Sequence, residues 1–68
     1  MYKKVWEHSV LDKLEEGKRV FAVDTKDNIL YDLKNEMAWK VIDLIILAKN
    51  EECRFFFYYW EENNEVVE

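Results

Sequence analysis

Six aromatic residues in a row, Phe55-Phe56-Phe57-Tyr58-Tyr59-Trp60, follow Arg54. The run is rich in strand formers and free of Gly and Pro, so it predicts a β-strand. Successive side chains of a strand point to opposite faces. Phe55, Phe57 and Tyr59 then share one face with Cys53, and Phe56, Tyr58 and Trp60 share the other with Arg54. A strand with one wet face alternates apolar and polar residues, and this one does not. Each large aromatic side chain carries about 150–250 Å² to bury. Both faces therefore call for cover, and the chain has 68 residues with which to supply it.

That length makes a single domain, residues 1–68. Domains of this size bury only about 60% of the surface their unfolded chain exposes. Many add a disulfide, a metal or a partner subunit. One cysteine, Cys53, and one histidine, His8, provide neither an internal disulfide nor a four-ligand zinc site. Tight packing or oligomerisation remains. An unpaired cysteine suits a reducing compartment. Lys3, Lys4, Glu7 and His8 interrupt any leader-like apolar run, and Leu44 to Ala48 is too short to span a membrane. The expectation is a cytoplasmic protein without membrane contact.

The formal net charge is −5. Residues 1–19 carry five bases and four acids, whereas residues 20–68 carry five bases and eleven acids. This balance opposes non-specific nucleic-acid binding, which relies on Lys and Arg neutralising phosphates. It serves solubility and permits a basic protein partner.

Along the chain, residues 1–8 are ambiguous, although Tyr2, Val5, Trp6, Val10 and Leu14 fit a helical stripe. Ser9 with Asp12 three residues later resembles a capping box, and Gly17 stands where a left-handed residue ends a helix, so residues 10–16 are predicted helical. Residues 18–24 and 28–33 read as two strands of a hairpin around the polar turn Asp24-Thr25-Lys26-Asp27-Asn28. Asn35 is the expected cap of a long helix ending near Lys49. Its core stripe is Met37, Val41, Leu44, Ile45 and Ala48. Trp39, Ile42 and Ile46 widen that stripe beyond what covering a sheet requires, and Leu47 falls on the polar side. The aromatic strand follows, expected parallel in direction to the second hairpin strand and antiparallel to the first. Glu65-Val66-Val67-Glu68 reads either as a short edge strand or as a frayed end. The predicted class is α+β: a small, mainly antiparallel sheet, built from a hairpin and the C-terminal aromatic strand, with one long and one short helix.

Arg54, Phe56, Tyr58 and Trp60, together with Trp39, Ile42 and Ile46, make the predicted interaction surface. Tyr, Trp and Arg are enriched at binding hot spots, and an apolar patch this large is uncommon on a monomer. A second copy is the first expected partner, because symmetric dimers are the commonest oligomers. A heterologous protein comes next. Single-stranded nucleic acid stacking on the same rings is a further alternative, opposed by Glu51, Glu52, Glu61, Glu62 and Glu65. Asp24, Asp27, Asp32, Glu61, Glu62 and Glu65 are candidates for acidic mimicry of nucleic acid, or for a charged rim that guards a sticky strand. No catalytic residue, cofactor or metal site is expected: glycine-rich loops and paired-ligand spacings are missing from the sequence. Cys53 reads as a small core residue and His8 as a surface residue at a helix start.

The segment Leu14-Glu15-Glu16-Gly17-Lys18-Arg19-Val20, a helix closing in Gly-Lys and running into a strand, resembles the opening of several small phage-encoded domains. That resemblance implies a mobile-element protein that binds and modulates a host protein. It assigns no functional residue.

Overall fold

The computed structural model of the chain describes residues 1–61. The chain runs through β1 (Tyr2–Val5), a 3-10 turn (Glu7–Ser9), α1 (Val10–Glu15), β2 (Val20–Asp24) and β3 (Ile29–Asp32). A second 3-10 turn (Leu33–Asn35), α2 (Ala38–Asn50) and β4 (Phe55–Trp60) complete it. The four strands form one sheet in the order β1-β4-β2-β3, with every neighbouring pair antiparallel. This is the predicted α+β class, with the aromatic strand at the sheet centre. β4 lies beside β2 and antiparallel to it, and so runs in the same direction as β3, the expected sense.

The N-terminal segment is a strand, not the first turns of a helix. β4 needs a partner on its second edge, and Tyr2–Val5 supplies it in the register Tyr2↔Trp60 to Val5↔Phe57. The α-amino group of Met1 donates to the Glu61 carbonyl and the Glu61 N–H to the Met1 carbonyl, both at 2.9 Å. Lys3 Nζ stands 2.6 Å from Glu61 Oε1. Lysines suit an edge strand because they discourage further pairing. The edge strand considered at Glu65 to Glu68 lies outside the described residues.

α1 follows its predicted span to within a residue, without the predicted cap: the Ser9 side chain makes no capping bond. Gly17 ends the helix at φ +84°. Its N–H donates to Leu14 and the Lys18 N–H to Lys13, which satisfies carbonyls the helix end would leave open. α2 starts later than predicted. Asn35 spends its side chain on Asp32 (Nδ2 to Oδ2, 2.9 Å) and lies in the 3-10 turn. Met37, extended at φ −71°, ψ 152°, precedes the helix and is exposed rather than part of its core stripe.

Both helices cover one face of the sheet. Val41, Leu44 and Ile45 of α2 and Val10 of α1 pack with Val5, Val20, Ala22, Phe55, Phe57 and Tyr59. Leu33 seals the end from the second 3-10 turn. Leu47, expected on the polar side of α2, packs against this core as well. The odd-numbered rings of β4 thus form the dry layer.

Candidate interaction surface on the open sheet face

No helix among the described residues covers the second face of the sheet. Strand alternation and register place its residues in three rows. Tyr2, Trp60 and Arg19 form the first, Lys4, Tyr58, Phe21 and Asp32 the second, and Phe56, Val23 and Leu30 the third. The rings touch one another. Tyr2 meets Trp60 edge to face at 4.9 Å between centroids and Phe21 at 5.7 Å. Lys4 Nζ lies 5.1 Å from the Phe56 ring and 5.3 Å from Trp6, and the Arg19 guanidinium lies 5.2 Å from Phe21. Such contacts let long cationic side chains shield rings from water.

Shielding is incomplete. Phe56, Tyr58, Phe21 and Val23 are half-buried. Trp60 keeps 41% of its surface exposed, Tyr2 61% and Leu30 66%. Tyr2, Phe21, Val23, Leu30 and Tyr58 line a shallow, almost wholly apolar hollow of about 400 Å³. Tyr2, Phe21 and Leu30 belong to this surface although they were not among its predicted residues. Their assignment needed β1 and the strand register.

Arg54, predicted on this surface, turns instead to the hairpin end of the sheet. β4 begins at Phe55, so strand alternation does not extend back to Arg54. Its Nε and Nη2 donate to Oδ1 and Oδ2 of Asp24 at 3.1 and 3.0 Å. Its Nη1 donates to Glu51 Oε2 at 2.7 Å, and Asp27 Oδ2 stands 3.5 Å from Nη2. Asp24 is only 1% exposed, and a buried carboxylate needs such a partner. It also accepts the N–H groups of Lys26 and Asp27, fixing the turn. The Arg54 hydrogen bonds hold the Asp24 carboxyl down at about 2, against the opposing effect of burial. Asp24 in turn raises the Arg54 guanidinium above its ordinary value.

Trp39, Ile42 and Ile46 are exposed on the outer side of α2, away from the sheet. The Trp39 indole N–H donates to Met37 Sδ at 3.4 Å. They form a second apolar stripe, separate from the aromatic sheet face.

Cys53 was expected in the core and is exposed. It sits at φ +65° in the turn before β4, on the rim of a depression of about 340 Å³ beside Trp6, Phe55 and Phe56. His8 is exposed in the first 3-10 turn and does not line that depression. The acids considered for mimicry are scattered. Asp24 is buried, Asp32 pairs with Arg19 at 3.3 Å, Glu61 pairs with Lys3, and Glu62 and Glu65 lie outside the described residues. Among the described residues no group of three His, Cys, Asp or Glu could hold a metal ion, and no helix is long and apolar enough to cross a membrane.

No family, curated protein or solved structure matches the chain.

Proposed function

We propose that this protein is a protein–protein interaction domain that self-associates through its open sheet face. One observation carries the reading: aromatic and aliphatic side chains from all four strands meet on a face that no helix among the described residues covers. Water-exposed apolar patches of this kind usually mark contact sites. The outer stripe of α2, with Trp39, Ile42 and Ile46, stays free in such an assembly and suits a heterologous target, as in a small regulator of another protein. Light scattering over a micromolar concentration range tests self-association. The expected mass is that of two chains, and a single-chain mass throughout overturns it.

A second reading has one observation in its favour. Lys4 and Arg19 both stand on the aromatic face, where a single-stranded nucleic acid could stack its bases and place its phosphates. That reading expects binding of a short single-stranded oligonucleotide that weakens as salt is added. No binding at low salt removes it.

A further inference from the structure

Resting on the self-association reading, we infer that two copies pack open face to open face about a twofold axis that runs along the strands, midway between β4 and β2. The argument begins with charge. Of the acidic residues in the described strands, Asp32 alone points to the open face. Asp24 points to the covered side and Asp27 lies in the turn. The acids Asp12 and Glu15 of α1 and Asp43 of α2 belong to helices packed against the other face. Two chains of net charge −5 therefore repel least when they meet through this face.

The pattern on the face then selects the axis. A twofold axis between two stacked sheets lies in the plane of the interface. Running along the strands, it exchanges the two edges and the two inner strands, and each row stays level with itself. Lys4 on one edge then faces the partner's Asp32 on the other edge. Tyr58 covers the partner's Phe21, Phe56 covers the partner's Val23, and Trp60 stands over the partner's Arg19. Every charged group meets an opposite charge or a ring. An axis across the strands, through the row of Tyr58 and Phe21, brings Lys4 against the partner's Lys4 and Asp32 against the partner's Asp32. Like charges face to face oppose it. Asp32 keeps 28% of its side chain exposed. Its Oδ2 accepts from Arg19 Nη2 at 3.3 Å and Asn35 Nδ2 at 2.9 Å, and its Oδ1 is buried, so the partner's Lys4 meets the exposed part of a carboxylate whose hydrogen bonds lie within its own chain.

The area sets the strength. Four strands about 4.8 Å apart and about five residues long give a footprint of roughly 300 Å². Side-chain relief enlarges the accessible area, yet it stays below the ~800 Å² per partner of a standard interface. An interface of that size falls in the weak, transient class, so the dimer is expected to be weak, with its sheets roughly 10 Å apart and nearly aligned.

A charge-swap series read by sedimentation equilibrium tests this geometry. Lys4→Glu places two acids opposite each other twice per dimer and is expected to weaken association about tenfold. The double variant Lys4→Glu/Asp32→Lys restores opposite charges and returns the dissociation constant to within about threefold of the wild type. If Lys4→Glu leaves association unchanged, or the folded double variant is no tighter than Lys4→Glu, the axis is wrong. Should Asp32→Lys fail to fold, cysteine mapping in a Cys53→Ser background decides. A short bis-maleimide is expected to link Lys4→Cys chains to Asp32→Cys chains in a mixture and neither variant to itself. Linking of Lys4→Cys to itself overturns the proposed axis. Tyr58→Asp separates the two levels. If it dissociates the dimer while the charge series fails, the face reading stands without this axis. A dimer that survives Tyr58→Asp and is lost in Ile42→Asp overturns both.

Discussion

Arg54 and Asp24 tie the two inner strands together where the hairpin turns, through two hydrogen bonds from the guanidinium to the carboxylate. With its carboxyl at about 2 in the folded chain and about 3.9 when unfolded, Asp24 refuses a proton that the unfolded chain accepts. Its contribution to stability is complete above about pH 4, declines as the pH falls toward 2, and is gone below that. Urea midpoints measured between pH 5 and 2 should therefore fall with acid, and Asp24→Asn should flatten the slope while lowering stability at neutral pH. An unchanged slope would mean that the pair is not formed in solution. Gly17 is the second residue with a single physical job. At φ +84°, a Cβ on it would meet no atom within 4 Å. Gly17→Ala should thus cost only the backbone penalty of a left-handed alanine, about 1 kcal/mol, visible as a lower urea midpoint with an unchanged slope. The role of Gly17 was legible in the sequence because it follows from one residue and its neighbours. The role of Arg54 was not, because it depends on a carboxylate thirty positions away.

At the scale of elements, the segments that announce themselves by local pattern are the ones the sequence identifies. The hairpin is two runs of strand formers around a polar turn, α2 has its stripe, and the aromatic run is made of strand formers without Gly or Pro. β1 fails that test. Tyr2, Val5 and Trp6 have helical spacing, and only the unpaired edge of β4 tells the chain to extend there. Missing β1 also hid Tyr2 from the candidate surface. The two faces of β4 differ in what they tolerate. Phe57, at 2% exposed, faces the helices, so Phe57→Ala should destabilise the fold by about 3–5 kcal/mol in chemical denaturation. The exposed Ile46 on α2 lies outside this core. Ile46→Ala should change stability by less than about 0.5 kcal/mol. Equal losses in the two variants would mean that the outer stripe of α2 is packed in solution.

For the whole molecule, the central fact is that the two helices and four strands of the described residues make two layers where an aromatic strand asks for three. The odd rings of β4 lie under the helices, while Tyr58 and Trp60 stand on the side that no element of the described chain covers. On the proposed self-association, a second copy would supply the third layer at no cost in chain length. Coupling between assembly and folding follows by mass action: the folded dimer is favoured by protein concentration and the unfolded monomer is not. The melting temperature should therefore rise as the chain is concentrated from about 1 to about 100 μM, by several degrees for a domain of this size. Tyr58→Asp places a charge in the middle row of the open face and removes a ring from it. The variant should melt cooperatively, at one temperature across that range, with the mass of one chain by light scattering. If Tyr58→Asp is unfolded at every concentration, the even-numbered rings belong to an internal core. A wild-type melting temperature independent of concentration, together with a single-chain mass, would show instead that the open face stays wet in the isolated protein.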